Sequence, residues 1–163
     1  MKSALVAASF TLLALGGCAA SGRGAPDGDV LPPPAGLMET YWKAVELDGA
    51  PVPPADGQRE AHLVLRAEAA PGERGAKDGV LPAQGSTGCN RLVATYTADE
   101  RNLRFTPGAT TRMACLPGNP EPAFLKAIAA TRQYRIGLRQ SDELELLDAS
   151  GRVVARFRAT ALH

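Results

Sequence analysis

A single segment of the chain has the hydrophobic periodicity of an α-helix, and segments of two-residue alternation flank it on both sides. Residues 118–131 read GNPEPAFLKAIAAT, in which Asn119 is a suitable N-cap ahead of about three helical turns. Phe124, Leu125 and Ile128 recur at helical spacing and are predicted to face the core. One helix among many strands constrains the fold, because the sheet must supply most of the structure and the helix must cover it.

The alternating segments predict strands. Before the helix they are TYWKAVEL, AHLVLRAE, VLPAQG, RLVATYT and NLRFTP, and after it QYRIGLR, DELELLD and RVVARFRA. Short turns connect the last three, which predicts an antiparallel meander. Pro82 predicts an edge or bulged position for its strand, because proline cannot donate to the ladder. The chain is therefore predicted to be α+β, with a strongly curved, mainly antiparallel sheet, a partial barrel, covered by one helix between two groups of strands.

The same alternation predicts which side chains share the core. Hydrophobic residues make up 45% of the chain and aromatic residues only 5%, so a mostly aliphatic core is expected. The in-facing set is Trp42, Leu63, Leu65, Tyr96, Phe105, Phe124, Ile128, Ile136, Leu144, Leu146 and Phe157. The opposite face of the last three strands is predicted to be solvated and carries Arg135, Arg139, Glu143, Glu145, Arg152, Arg156 and Arg158.

Residues 1–17 have the composition of a bacterial signal peptide rather than of a folded segment. Lys2 gives a positive start, and the apolar run 4–15 is too short for an ordinary transmembrane helix. The LGGC that ends at Cys18 resembles a bacterial lipobox. The resemblance implies cleavage before Cys18, diacylglycerol on its sulfur, and acylation of the new amine by a fatty acid such as palmitate. A plain secretory signal with a coincidental cysteine is the alternative.

The segment after the predicted cleavage site has the composition of a linker. Residues 18–36 are rich in Gly, Pro, Ser and Asp and predict a flexible tether, so the globular domain is expected to cover residues 37–163. More than one acyl chain on Cys18 would anchor the protein stably to a membrane. Ala19, not aspartate, follows Cys18, which predicts the outer membrane, with the domain facing the periplasm.

The balance of charge limits the class of partner. The 163-residue chain has 18 basic and 17 acidic residues, and removal of residues 1–17 deletes Lys2, which leaves 17 of each. A net charge near zero argues against a nucleic-acid partner. The predicted partners are the membrane, through the lipid on Cys18, and an envelope protein or ligand that the sequence does not identify.

Two cysteines remain once Cys18 is lipidated. Cys89 follows small residues in GSTGCNRLVATYT, and Cys115 ends TTRMAC just before the helix. An exported domain lies in an oxidising compartment, where two remaining cysteines usually pair, so a Cys89–Cys115 disulfide is the preferred hypothesis. Two buried free thiols or a catalytic Cys89 are the alternatives. Catalysis lacks a base, because the chain has only His62 and His163 and no spacing brings either to Cys89.

No other motif predicts a reaction. Zinc requires three or four ligands, and two cysteines with one usable histidine are too few. The GSTG of residues 85–88 lacks the lysine and long helix of a phosphate loop and predicts a tight turn. Asn90 is predicted to bond local backbone, Trp42 to lie in the core and Tyr41 at its rim. The chain is therefore predicted to have no catalytic residues, no metal and no cofactor, and not to be an enzyme.

The order of several blocks resembles a known family. The blocks are YWKAVELDG, GSTGCNRLVATYT, LRFTPGATTRMAC, PEPAFLKAI and YRIGLRQSDELELLDASGRVVARFR. Together they resemble the META domain, the family of the heat-shock-inducible lipoprotein HslJ, over nearly all of the predicted domain. A polar insertion at residues 69–79 departs from the family pattern and implies a variable loop.

The resemblance implies a small, sheet-rich α+β domain at the bacterial envelope, associated with the stress response and antibiotic tolerance. It implies no established enzymatic reaction. The expected function is therefore that of a non-enzymatic, membrane-anchored envelope lipoprotein. The alternative is a binding module, either an inhibitor of a hydrolase such as lysozyme or a carrier of a small apolar ligand.

Overall fold

The strands form almost where two-residue alternation places them. The computed structural model describes residues 36–55, 57, 59–68, 79–137 and 142–160. The strands before the helix are β1 (Tyr41–Leu47), β2 (Ala50–Pro51), β3 (Ala61–Leu65), β4 (Leu81–Thr87), β5 (Arg91–Ala98) and β6 (Leu103–Thr110). Helix α1 (Glu121–Ala130) is followed by β7 (Gln133–Ile136), β8 (Glu143–Leu147) and β9 (Val153–Thr160). The predicted signal peptide, Cys18, the predicted tether through residue 35, Arg139 and His163 lie outside the described residues.

The strands join in one antiparallel sheet that curls into a half-barrel. Their order is β6-β5-β4-β3-β1-β9-β8-β7, and β2 pairs with β1. The two ends of this series approach each other, since Asn102 and Gln133 form an isolated bridge and the Leu103 amide donates to the Arg132 carbonyl at 3.0 Å. The predicted α+β fold with a curved, antiparallel sheet and one helix between two groups of strands is confirmed.

Helix α1 packs an apolar face against the inner face of the sheet. Phe124 is fully buried, and its ring meets Phe157 of β9 edge-on with centroids 5.9 Å apart. The predicted N-cap is wrong by one residue, because Pro120 occupies that position. Asn119 still contributes, since its Oδ1 accepts a hydrogen bond from the Glu121 amide at 3.1 Å. Among the described residues, no helix is long and apolar enough to cross a bilayer.

The predicted in-facing residues form one core between α1 and the sheet. All of them belong to the same hydrophobic cluster, although Phe105 and Ile136 are only partly buried at its margin. Trp42 is fully buried, and its Nε1 donates to the Leu37 carbonyl at 2.9 Å, which satisfies the one polar atom of the side chain. The prediction that Trp42 is a core residue is therefore confirmed.

A β-bulge changes which residues of β9 face the core. Strict alternation from Ala155 would place Val153 inside and Val154 outside. The register with β8 shifts between Leu146, which pairs with Ala155, and Leu147, which pairs with Val153. Val154 is the extra residue of the bulge and is 3% exposed, whereas Val153 is only partly buried.

The predicted edge position of Pro82 is wrong, because β4 lies in the interior of the sheet between β3 and β5. The ladder between β3 and β4 ends at the pair Leu65 and Ala83. Pro82, the residue before Ala83 in the chain, is therefore not part of it. The Pro82 carbonyl still accepts from the Arg66 amide at 2.9 Å. Proline is tolerated here because it lies outside the paired residues of that ladder.

Candidate functional site

The two cysteines of the domain lie together at one end of the sheet, beside the N-terminus of α1. The Cα atoms of Cys89 and Cys115 are 5.7 Å apart, and their Sγ atoms face each other. The Cα separation lies within the range that a disulfide requires, so the geometric condition of the predicted pairing is met. The sulfur of Cys89 faces Cys115 in this arrangement, and Cys89 as a whole is only 8% exposed. An open, nucleophilic thiol at Cys89 is therefore not favoured.

A sharp bend after β4 presents Cys89. The predicted GSTG turn is shorter than expected, because residues 85–87 belong to β4 and only Gly88 leaves the strand. Gly88 has a φ of +96°, and a Cβ on it would lie 2.3 Å from the Pro120 Cγ. Only glycine fits both the backbone conformation and the close approach of the segment before α1. The stretch therefore acts as a structural turn against the helix, not as a phosphate loop.

Asn90 is the centre of the hydrogen bonds around the cysteines. It is 2% exposed, and its Oδ1 accepts from the Thr111 hydroxyl and the Met113 amide, both at 2.8 Å. Its Nδ2 donates to Glu121 Oε1 at 3.2 Å and lies 3.3 Å from Cys115 Sγ. The amide thus uses its full bonding capacity within the protein. Asn90 bonds distant side chains as well as backbone, which is more than the local role predicted for it.

Glu121 connects the first turn of α1 to this cluster. Its Oε2 accepts from the Thr87 hydroxyl at 2.5 Å and from the Asn90 amide at 3.2 Å. A carboxylate in the first turn is also favoured by the helix dipole. Because Thr87 is the last residue of β4 and Asn90 directly precedes β5, Glu121 fixes the start of the helix to the turn between these strands.

Cys89, Cys115 and Glu121 are the one group of possible metal ligands found among the described residues, with ligand atoms within 4.8 Å of one another. Two paired sulfurs offer no thiolate, and thiolates are what cysteine contributes to a zinc site. The Glu121 oxygens already accept three hydrogen bonds. The cluster in this state is therefore suited to holding the chain, not to binding a cation.

His62, the histidine considered as a catalytic base, has structural partners. Its ring stacks on Tyr41 with centroids 4.4 Å apart, and its Nδ1 lies 3.0 Å from the Glu60 carbonyl oxygen. Burial and the hydrogen bond to Glu60 raise the pKa of Tyr41 to about 12. Burial alone would raise the pKa of Glu60, but Lys43 and Tyr41 outweigh it and lower that pKa. Tyr41 therefore lies at the rim, as predicted, stacked on His62 beside the ion pair of Lys43 and Glu60.

The outer face of the second half of the sheet, β1-β9-β8-β7, carries a connected set of ion pairs that we call the paired face. Arg156 contacts Glu46, and its Nε lies 3.1 Å from Glu145 and 3.8 Å from Glu143. Arg135 lies 3.0 Å from the other oxygen of Glu145, which is only 4% exposed. The prediction of a fully solvated face is wrong at Glu145, because two arginines cover it.

Comparison with known proteins places the chain in a family. A family model of the META domain matches residues 35–161, which is most of the chain. The chain belongs to the META domain family. Among curated proteins, none matches it.

Two solved structures share the fold of this META domain protein. One is an NMR structure of a protein from Burkholderia xenovorans, 25% identical, with a TM-score of 0.56 over 77% of this chain and 85% of that one. The other, also solved by NMR, is 16% identical, with a TM-score of 0.51 over 75% of this chain and 90% of that one. The second likeness concerns the fold alone.

Sequence reasoning found the cysteines of this META domain but missed the residues that organise them. Local sequence patterns assign no bonding role to Glu121 or to Thr111. Their contacts with Asn90 span 31 and 21 residues of sequence, and no local pattern reports such distances. A usable signal is the clustering of Asn90 beside Cys89, because a buried amide next to a paired cysteine requires several partners.

Proposed function

We propose that this META domain protein is a non-enzymatic lipoprotein of the bacterial envelope, anchored through Cys18 to the outer membrane and acting in envelope stress or antibiotic tolerance. The observation that carries the proposal is the family match over residues 35–161, preceded by the lipobox-like LGGC at residues 15–18. The domain would support the envelope by contact with other envelope components.

The site geometry supports a role without catalysis. Cys89 is buried beside Cys115, and Asn90 is saturated by internal hydrogen bonds. His62 is stacked on Tyr41. A nucleophile, its base and an orienting group are what a covalent mechanism needs, and these residues are engaged elsewhere.

The anchor is tested by substitution of Cys18. Cys18→Ser should abolish acylation and release the protein from the membrane fraction, and an intact-mass measurement should lose the lipid mass. Ser21→Ala, in the predicted tether, is the matched control and should leave both unchanged. A mature protein that stays in the membrane fraction without lipid on Cys18 would contradict the anchor.

The stress role is tested in the host. A strain that lacks the protein should become more sensitive to envelope-active antibiotics, and the wild-type chain should restore tolerance. The Cys18→Ser chain, expressed at the same level, should restore it poorly if location at the membrane matters. Equal sensitivity of the strain with and without the protein, under heat and antibiotic stress, would contradict the proposal.

The alternative of a hydrolase inhibitor is favoured by one observation. The segment of residues 111–116 lies outside the helix and strands and is exposed except at Cys115, with Met113 55% and Leu116 59% exposed. Its backbone is nevertheless held, through the Met113 amide on Asn90 and through Cys115. A fixed, exposed loop with apolar tips can enter the cleft of an enzyme at low entropic cost.

The carrier alternative has less support, because α1 and the large side chains Trp42, Phe124 and Phe157 fill the inner face of the half-barrel.

Inhibition is tested directly with lysozyme. The wild-type protein should slow lysis of cell walls, and Met113→Asp should relieve the effect, whereas Arg101→Gln should not. Unchanged lysis at a large excess of the wild-type protein would exclude this enzyme as the target.

A further inference from the structure

The outer face of β3-β4-β5-β6 forms an open groove of about 700 Å³, which we call the open groove. Rows of residues paired across the strands make up its floor. The first row is His62, Ser86 and Arg91, the second Val64, Gln84 and Val93, and the third Pro82, Thr95 and Thr106. Arg59 and Arg66 also line it. Its volume falls in the range of ligand-binding clefts.

Positive charge is concentrated in the open groove. Arg59, Arg66 and Arg91 line it, and none of its described lining residues is acidic. Arg66 lies 3.3 Å from Glu39, a pair in which both side chains are 47% exposed and so hold each other weakly. Within the part of the chain that the structure describes, the exposed side chains of Arg59 and Arg91 make no hydrogen bond or ion pair. The groove is therefore complementary to negative charge.

The positions of the arginines indicate an extended ligand. Arg91, at the start of β5, lies in the first row. Arg66, just after β3, lies at the level of the third row, so the two arginines are two strands apart across the sheet and four residues apart along the strands. Standard strand geometry separates their Cα atoms by roughly 16 Å. A single small anion would leave most of the rows between the two ends unfilled. A chain with at least two negative groups can contact both ends and fill the rows between them.

The middle of the open groove suits sugar rings. Gln84, Thr95 and Thr106 offer neutral donors and acceptors for hydroxyl groups. Val64 and Val93 form an apolar strip between them, and Val93 is 49% exposed. Because Val93 is half exposed, the strip lies at the surface, whereas a protein partner is usually anchored by an aromatic or arginine side chain in a deep pocket. Alternating polar and apolar contacts over an exposed floor match a saccharide chain better.

We propose that the open groove binds an anionic saccharide chain, whose carboxylate or phosphate groups contact Arg59 and Arg91 at one end and Arg66 at the other. Guanidinium groups bind both kinds of anion in bidentate geometry. The ring hydroxyls lie on Gln84 and Thr95. This assignment is independent of the lipid anchor and holds for the domain in any compartment.

The test is calorimetry with the mature protein, produced from the full chain and kept in detergent, at low ionic strength. The probes are an oligogalacturonate for carboxylates and a dextran phosphate for phosphates, and comparison of the two identifies the source of the charge. Methyl-esterified oligogalacturonate is the uncharged control, and polyglutamate is the anionic chain without sugar. Binding of either anionic saccharide, weakened by added salt, is the expected result.

Variants locate the ligand in the open groove. Arg59→Gln together with Arg91→Gln should weaken binding about tenfold or more, since each removes an exposed charge-assisted contact. Arg101→Gln removes an exposed arginine outside the groove and should change the affinity less than twofold. The proposal would be overturned if neither anionic saccharide bound, or if the methyl ester or polyglutamate bound as tightly as the anionic saccharides. Equal losses of affinity in the double variant and in Arg101→Gln would overturn it as well.

Discussion

The two halves of the outer face have the same architecture but differ in whether their arginines are paired with carboxylates. On the paired face, Arg156 contacts three carboxylates and Glu145 is almost inaccessible to solvent. On the open groove, Arg59 and Arg91 have no carboxylate among the described residues. Both faces lie on the outside of a single antiparallel sheet, whose inner face packs on one helix. The fold itself therefore does not require charge pairing on the outer face.

The difference separates charges that stabilise the domain from charges that are free to contact something else. An ion pair that covers a buried carboxylate is part of the structure, because removal of one partner leaves the other buried without compensation. An exposed arginine without a partner contributes little to stability and remains available for a ligand. Four predictions, beginning with the largest expected effect, test or refine this separation.

Phe124→Ala should have the largest effect and should not distinguish the halves. Phe124 is fully buried and contacts Phe157, so its truncation should lower the free energy of unfolding by about 3–5 kcal/mol. Urea unfolding measures the loss, and amide hydrogen exchange should show lower protection in β3–β6 and in β7–β9 alike. A loss below about 1 kcal/mol, or exchange that changes in one half only, would mean that the halves do not share a core.

The cysteine pair should stabilise the end of the sheet that carries the open groove. If Cys89 and Cys115 are joined, as we predict for the exported protein, substitution of both by Ser should cost up to about 3.5 kcal/mol in the chain-entropy estimate for this loop. Protection from exchange should fall first around Asn90, and membrane anchoring should stay unchanged.

Labelling shows whether the pair is formed. Iodoacetamide should modify neither cysteine in the native, oxidised protein and both after reduction under denaturing conditions, as read by mass spectrometry. Rapid labelling of Cys89 alone, without a reductant, would contradict the disulfide and return attention to a reactive thiol.

The same substitution made in each half compares the two faces directly. Arg156→Gln should cost about 3 kcal/mol, because Glu145 then remains buried with one of its two arginines removed. Arg91→Gln should change the free energy of unfolding by less than about 0.5 kcal/mol. Both are measured by urea unfolding at neutral pH. Equal losses would mean that Arg91 is structural and would weaken its assignment to a ligand.

Local sequence patterns predicted most of the strands and the helix, and they failed where distant segments meet. The alternation of Leu144 and Leu146 with charged residues identified β8 and its inward face. It could not show that Glu145 would be buried, because that depends on Arg135 and Arg156 from two neighbouring strands. The exposure of an outward-facing side chain depends on the side chains of the neighbouring strands. Which strands are neighbours is known only from the strand order of the folded sheet.

The candidate sites differ in the same way. The proximity of Cys89 and Cys115 agrees with what compartment and cysteine count predict, because few cysteines were available. The open groove could not be predicted, since it combines Arg59 from a loop with Arg66 and Arg91 at the ends of two strands. In the sequence, each of these arginines looks like an ordinary solvated residue. Only the pairing register of the strands brings them together around the open groove.

Acid should weaken the paired half by a small, salt-sensitive amount. Asp48, in the turn after β1, accepts hydrogen bonds from Lys126 of α1 and from Arg152, both at 2.6 Å. The bond from Lys126, followed by that from Arg152, lowers the pKa of Asp48 below its usual 3.8. A lowered pKa in the folded state means that the contribution to stability is complete above that usual value and is lost as the pH falls through the folded value.

Asp48→Asn is the matched substitution, because Asp48 has a φ of 50° and asparagine tolerates that conformation as well as aspartate does. The wild type should be slightly more stable than this variant at pH 6, and the difference should vanish near pH 2 and shrink in 1 M salt, as urea midpoints will show. Arg91→Gln, which has no carboxylate partner among the described residues, should instead differ from the wild type by the same small amount at both pH values. A difference for Asp48→Asn that persists at pH 2 would show that the turn conformation, and not the charge on Asp48, stabilises this half of the sheet.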